Sequence, residues 1–442
     1  MRLKFNNIGK ISEADIELNS ITVIAGNNDT GKSTVGKLLY AVSMALHVIT
    51  PAFLLKDKFD AILAEVESFS NRTSNVNYLS HFNDFRNEYK WVFTEEKSLK
   101  KNDLSLLDQF ESDLNKLVHD LVTKIKGMVD NDKKQRELTC KNLLVHTERP
   151  ANDIAIKLPA LQDMILTEFS DYLTSEMTKG KVSKVVLEKE SVIEMHFMNN
   201  ELTSLNKPSF ERLVSQSFYI DDPFILNFNR HTIPHESPKR YIRYSHEQQL
   251  IRELYRATFF NNKNYFSQAL HEETVNNIFS TVIKGEIKLG FGDSDEGFKY
   301  YQDEITQPLS MDNVSTGIKS FSILQLLMKG GHLNDCEFLI LDEPEIHLHP
   351  EWQLKYAELI VLLTIHYPIR VLLTSHSPYF VEAIELYSQL HEIDKGVRFY
   401  KTEPDGKMSK IIDVTNCIDK LYEDMAKPFR KLEELEDELR DE

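Results

Sequence analysis

Short runs of alternating apolar and polar residues open the chain, at residues 2–5, about 9–17 and 20–25, broken by Asn6-Asn7 and Asn19-Ser20. A period of two with polar breaks predicts strands joined by tight connections. The period then lengthens to that of a helix from about Lys32 to Val48. After Thr50-Pro51 the sequence stays polar and helix-favouring to about Lys184, and one stretch sets Leu107, Phe110, Leu114, Leu117, Leu121, Ile125 and Met128 at spacings of three and four. Such a stripe predicts packing within a helical bundle, with a short antiparallel coil or a partner-docking helix as the alternative. Alternation returns at about 185–197 and in Phe218-Tyr219-Ile220, which runs into Asp221-Asp222-Pro223. Helical spacing covers His246 to about Ile283, residues 286–291 and 298–301 predict a β-pair around a Gly/Asp turn, and a helix follows Asp312-Asn313 over 314–329. The apolar runs 337–342 and 369–374 predict strands buried on both faces.

Chemistry gathers where these elements end. Gly26-Asn27-Asn28-Asp29-Thr30-Gly31-Lys32-Ser33-Thr34 matches GxxxxGK[ST] between the strand Ile21-Thr22-Val23-Ile24-Ala25 and a helix. In that context the glycines let backbone N–H groups turn inward on phosphate oxygens, Lys32 reaches the β/γ-phosphates, and the Ser33 hydroxyl can ligate Mg²⁺. The strand Glu337-Phe338-Leu339-Ile340-Leu341 ends in Asp342-Glu343-Pro344. In a parallel sheet both acids emerge beside the phosphate loop, where Asp342 suits the Mg²⁺ shell and Glu343 suits polarising the attacking water. A further buried strand ends in Thr374-Ser375-His376-Ser377-Pro378, so His376 can hydrogen-bond the γ-phosphate or the water. Finally Asn313-Val314-Ser315-Thr316-Gly317-Ile318-Lys319 opens a helix, a second phosphate-binding surface whose use is on another subunit's nucleotide, or else a plain helix cap.

In this order, with Leu341-Asp342-Glu343-Pro344 followed at once by Glu345-Ile346-His347-Leu348-His349-Pro350, the set resembles the ABC-type ATPases of the SMC/RecF/OLD branch. More narrowly it resembles the compact ATPase subunits of bacterial antiphage systems such as Septu and PARIS. The motifs cover roughly residues 1–48 and 310–385. The resemblance implies an α/β ABC-type P-loop head with a mixed β-sheet core and a largely helical insertion. It also implies that two heads sandwich ATP and Mg²⁺, each nucleotide held by one P-loop and the partner's Asn313, Ser315, Thr316, Gly317 and Lys319, with 345–350 crossing the interface. Thr316 and Ile318 replace the first Gly and the Gln of the transporter-type signature. No clear switch-loop glutamine stands out, Gln216 being a weak candidate.

The division expected is 1–48 as the N-terminal part of the head with the P-loop, 49–205 as a mainly helical insertion, 206–415 as the rest of the head, and 416–442 as an acidic amphipathic helix. Only 66 residues follow His376, and Asp394, Asp405 and Asp413 form no Asp-x-Asp pair. A separate effector, an HNH- or TOPRIM-type nuclease or a toxin, is therefore expected to bind. In 418–442, Ile418, Leu421, Met425, Phe429, Leu432, Leu435 and Leu439 share one side; capping the chain's own core is the first expectation and partner docking the second.

Charge narrows the remaining choices. Against 52 Lys+Arg stand 69 Asp+Glu, net −17, which argues against a surface built to grip polyanions. Six Lys/Arg against three Glu between Arg230 and Arg256, with Tyr241, Tyr244 and Tyr255 interleaved, form the best candidate for nucleic-acid contact. No uncharged apolar run reaches about 18 residues, and the start lacks an apolar signal core, so a cytoplasmic protein without a membrane span is expected. Cys140, Cys336 and Cys417 form no CxxC pair, and His347/His349 lack a third ligand nearby. The leading expectation is an ATP-hydrolysing sensor or regulator of an antiphage complex. A RecF/SMC-like repair ATPase that clamps DNA is the alternative, and a transporter ATPase ranks last.

Overall fold

The alternating runs at the N-terminus form β1 (Arg2–Ile8) and β2 (Ile11–Glu17), and the apolar run before the phosphate loop forms β3 (Ile21–Ala25). The computed structural model describes residues 1–48, 51–73, 77–93, 104–128, 133–148, 154–206, 215–228, 245–259, 273–290, 297–302 and 306–441. Helix α1 (Lys32–Val48) leaves the loop. Among the described residues six helices follow: α2 (Pro51–Thr73), α3 (Asn77–Glu88), α4 (Lys90–Phe93), α5 (Leu104–Lys126), α6 (Lys133–Glu148) and α7 (Ile154–Thr167). Strands β4 (Ser183–Glu188), β5 (Val192–Met198), β6 (Glu201–Asn206) and β7 (Gln216–Ile220) precede α8 (His246–Phe259) and α9 (Glu273–Val282). A small sheet of β8 (Glu286–Leu289), β9 (Phe298–Tyr301) and β10 (Leu309–Ser310) leads into α10 (Thr316–Lys329). The chain closes with β11 (Cys336–Asp342), α11 (Pro350–His366), β12 (Arg370–Ser375), α12 (Pro378–Leu390), β13 (Val397–Asp405), β14 (Met408–Asp413), α13 (Asp419–Met425) and α14 (Lys427–Asp441).

Among the described residues eleven strands form one mixed sheet in the order β6-β5-β4-β1-β2-β14-β13-β3-β12-β11-β7. Its half from β13 to β7 is parallel throughout, and its half from β6 to β2 is antiparallel. The expected α/β fold, a mixed β-sheet core with a largely helical insertion, is this arrangement. Alternation assigns the two faces. Tyr219, Ile24, Phe338, Ile340 and Leu372 face α1 and the helices α2–α7, whereas Phe218, Val23, Leu339, Leu341 and Leu373 face α8–α12. The stripe on α5 packs as a bundle core: Leu107, Phe110, Leu114, Leu121 and Ile125 are buried, and Phe110 meets Phe85 and Tyr89 edge-on at 5.1 Å.

Two placements differ from the sequence reading. Strands β4–β6, counted there within the insertion, extend the main sheet, because β4 pairs antiparallel with β1 from Arg2↔Glu188 to Asn6↔Lys184. The helical insertion is thus α2–α7. The C-terminal segment also divides: Leu421 of α13 is buried and Tyr422 Oη donates to Glu385 at 2.6 Å, but Leu432, Leu435 and Leu439 of α14 stay exposed instead of capping the core. The basic strip expected before α8 lies, over 229–244, outside the described residues. On α8 itself Arg256 pairs with Glu253 at 3.1 Å and Tyr255 is buried against Phe298, so this end is committed to packing.

Candidate nucleotide-binding and catalytic site

Parallel register lines up the carboxyl ends of four strands. Ala25 of β3 is level with Ser375 of β12, Thr374 with Asp342 of β11, and Leu341 with Ile220 of β7. Ligands of open parallel sheets bind beyond this edge, and the phosphate loop, the Asp-Glu pair and the histidine all leave the sheet there.

The loop has the backbone an anion cradle needs. Gly26, Asp29 and Gly31 have φ of 151°, 62° and 91°. Left-handed residues turn neighbouring N–H groups toward a common concavity, and the N-terminus of α1 adds its positive dipole end. A side chain at Gly26 is excluded: its Cβ would fall 2.1 Å from Thr402 Oγ1 of β13. Lys32 Nζ donates to the carbonyls of Gly26 at 3.1 Å and Asn27 at 2.8 Å, folded back over the loop. Its side chain is 3% exposed, and burial lowers its ammonium pKa against the upward pull of Glu343 and Asp342. Asn28 and Asp29 form the exposed tip, where Asp29 pairs with Lys10, and Thr30 Oγ1 donates to Asn27 O at 2.8 Å. Ser33 and Thr34 stand half-buried on the first turn of α1.

Asp342 is held at both oxygens, by the Tyr219 hydroxyl donating to Oδ2 at 2.7 Å and the Thr374 hydroxyl donating to Oδ1. Glu343 adopts φ 51°, a left-handed conformation that costs a non-glycine residue about 1–3 kcal/mol and collects at functional sites. Its N–H donates to Thr374 O and Oγ1, both at 3.1 Å, which fixes the turn. The carboxylate therefore points between two groups: Oε1 lies 3.7 Å from Lys32 Nζ and Oε2 lies 2.9 Å from His376 Nε2. Behind His376 sits Glu345, 3% exposed, whose Oε1 accepts the Ser375 hydroxyl at 2.5 Å and the His376 N–H at 3.1 Å. Burial pushes its carboxyl pKa up.

The helix α10 segment is further away in the chain and differs in detail from the sequence reading. Ser315 occupies the N-cap position without a side-chain cap bond, and Asn313, Ser315 and Thr316 face solvent wholly or in part. Gly317 is buried against the Trp352 ring of α11, which would lie 2.6 Å from a Cβ at this position. Lys319 does not reach the surface: it is 1% exposed and its ammonium lies 4.6 Å over the Phe224 ring. Phe224 also meets His347 edge-on at 5.8 Å, while His349 caps α11, so the two histidines serve separate packing roles. Gln216 lies at the amino end of β7, and Asp221, not Gln216, leaves its carboxyl end at the site. Tyr219, Asp221 and Phe224 have no role in the sequence motifs, and Glu345 only that of the expected interface segment 345–350; their place in or just after the strands is the sequence signal.

Residues 187–382 match the family model described as "AAA domain, putative AbiEii toxin, Type IV TA system". That match covers less than half of the chain. The glycine-bearing loop Gly26–Thr34 precedes the matched region, which includes β5–β7, α10, the Asp342-Glu343 pair and His376. The chain is also similar to the Septu protein PtuA of Bacillus thuringiensis, 32% identical over 151 residues, 28% of this chain and 37% of PtuA. The match thus spans about 37% of that relative's length. Among solved structures, an SMC head bound to the C-winged helix domain of ScpA aligns with TM-score 0.43 at 10% identity, over 93% of this chain and 97% of that one. The SMC head domain from Thermotoga maritima aligns with TM-score 0.34 at 12% identity, over 93% and 98%.

Among the described residues no helix is long and apolar enough to cross a membrane.

Proposed function

We propose that this chain is a Mg²⁺-dependent ATP-hydrolysing regulatory subunit of an antiphage defence complex, in which ATP-dependent association of two heads controls a separate effector. The observation that carries the reading is the Glu343 carboxylate, held in a left-handed turn between Lys32 and His376 at the mouth of a glycine-bearing phosphate loop. The residues fit a metal–nucleotide: Asp342 has both oxygens oriented by hydroxyl donors from the protein, and Ser33 opens α1 beside the loop. Asp342 and Ser33 would hold Mg²⁺, which supplies charge neutralisation at the β/γ-phosphates when bound.

Gly26, Asn27, Asn28, Asp29, Thr30, Gly31, Ser33 and Thr34 wrap the phosphates, and the Lys32 ammonium exchanges its two carbonyl partners for phosphate oxygens. Glu343 accepts a proton from the attacking water, a role worth about 10²–10⁴-fold in rate for a positioned base. His376 Nε2, 2.9 Å from Glu343 Oε2, positions that carboxylate and the water. Ser315, Thr316 and the amino end of α10, with Asn313 beside them, address the partner head's γ-phosphate. A signature surface has no use on a lone head, so closed symmetric pairs or rings follow. The likeness to PtuA supports the defence assignment, and a nuclease as the effector belongs to the same reading.

Phosphate release from ATP with and without Mg²⁺, for the wild-type protein, Lys32→Ala and Glu343→Gln, tests the site. Both variants should fall to background; turnover by Lys32→Ala at the wild-type rate would remove the phosphate loop from the mechanism.

A further inference from the structure

Behind Asp342 lies a charged cluster that hydrolysis as described does not use. His246 begins α8 and is 7% exposed. Its Nδ1 lies 2.6 Å from Glu168 Oε2, its Nε2 lies 3.1 Å from Asp221 Oδ2, and its backbone N–H donates to Glu168 Oε1 at 2.7 Å. Two ring nitrogens that each face a carboxylate are both satisfied only as donors, in the doubly protonated ring. Burial alone would lower the imidazole pKa, but Asp221 and Glu168 outweigh it and bring it up to about 9. The same cation holds the Asp221 carboxyl below its ordinary value despite burial. Among the described residues the ring also meets Tyr40 of α1, edge-on at 6.0 Å, and Tyr219 of β7, edge-on at 4.7 Å. Lys37 of α1 adds positive charge toward Asp221, and Arg252 and Glu253 of α8 act on Tyr40.

Three parts of the molecule therefore meet at one buried cation. Glu168 directly follows α7, the last helix of the insertion. Asp221 directly follows β7, the strand beside β11. Tyr219, packed against the ring, donates its hydroxyl to Asp342. We propose that His246 is a positioning residue that clasps the helical insertion to the nucleotide-binding edge and, through Tyr219, holds Asp342 in the orientation that binds metal, so that occupancy of the site is felt at the end of α7. The inference rests on the ATPase reading of Asp342. Groups that orient a metal ligand from behind are worth about 10–100-fold in metal affinity. A salt-bridged end of α7 gives the insertion a direct mechanical connection to that ligand.

The test titrates Mg²⁺ into full-length protein with N-methylanthraniloyl-ATP, for wild type, His246→Gln and Tyr219→Phe, and follows amide hydrogen exchange of residues 160–168 with and without Mg²⁺-ATP. Both variants should raise the Mg²⁺ midpoint about tenfold while binding of the metal-free nucleotide stays the same. In the wild type Mg²⁺-ATP should slow exchange at 160–168, and His246→Gln should lose that response. A midpoint unchanged in Tyr219→Phe, or equal weakening with and without Mg²⁺ in His246→Gln, overturns the proposal in favour of a purely structural cation. So does wild-type exchange at 160–168 that ignores Mg²⁺-ATP, a readout that survives even if His246→Gln fails to fold. A wild-type protein that binds no nucleotide, or Lys32→Ala that binds as well as wild type, overturns the ATPase reading itself and this inference with it.

Discussion

Replacing His246 by glutamine removes a buried cation and leaves two carboxylates, Glu168 and Asp221, facing a neutral amide. The linkage between protonation and folding fixes what this does to stability as pH changes. The imidazole pKa rises from 6.5 in the unfolded chain to about 9 in the folded protein. A raised pKa contributes stability that is fully present below about pH 6.5 and is lost as pH climbs through about 9. At 1.36 kcal/mol per pH unit, the interval is worth about 3 kcal/mol. Spread over 442 residues at about 2.1 cal/mol/K each, that corresponds to a midpoint shift of about 3 °C. The assay is thermal unfolding at steps from pH 6 to pH 10, reading the wild-type minus His246→Gln difference so that other titrating groups cancel. The difference should be largest near pH 6 and shrink steadily between about pH 7 and pH 9.5. Parallel profiles across that range would refute a charged His246 and the clasp argued from it.

Two further perturbations probe different parts of the head. Gly317→Val drives a side chain into the Trp352 ring, already 2.6 Å from a Cβ at that position, and should cost about 1–3 kcal/mol by urea unfolding while single-head nucleotide binding persists; unaltered stability would show that Trp352 yields freely. Glu345→Ala removes the acceptor of the Ser375 hydroxyl and the His376 N–H and should lower kcat about tenfold at unchanged KM, whereas Glu345→Gln, which keeps an accepting oxygen, should retain most activity. Equal losses in both variants would mean that the charge, not the hydrogen bonding, matters.

Much of the site was legible because its chemistry is written in contiguous segments. Gly26 to Thr34, Asp342-Glu343 and His376 each end a strand whose apolar run is plain in the sequence, and parallel pairing then forces them together. The rest depends on contacts between distant segments. Glu168 and His246 lie in different parts of the chain, and no local pattern joins them. Tyr219 reads as one more apolar residue of a strand, yet its hydroxyl reaches Asp342 because alternation turns it toward α1. Lys319 misleads in the opposite direction: a lysine next to a phosphate-binding turn suggests an anion ligand, but its helical phase carries it into the core, where its stem packs and its charge rests on Phe224. Strands β4–β6 follow a long helical stretch, so only the pairing with β1 reveals that they belong to the sheet. Leu432, Leu435 and Leu439 show the amphipathic spacing without the docking it suggested, since spacing defines a face and not what covers it.

In the proposed cycle ATP draws two heads together and Glu343 drives their release by hydrolysis. Light scattering of Glu343→Gln, with and without Mg²⁺-ATP, measures it directly. The mass should at least double with nucleotide, an increase that persists in the variant, decays with turnover in the wild type, and is absent when Ser315→Arg is added. A mass indifferent to Mg²⁺-ATP, or an association that survives Ser315→Arg, would contradict it.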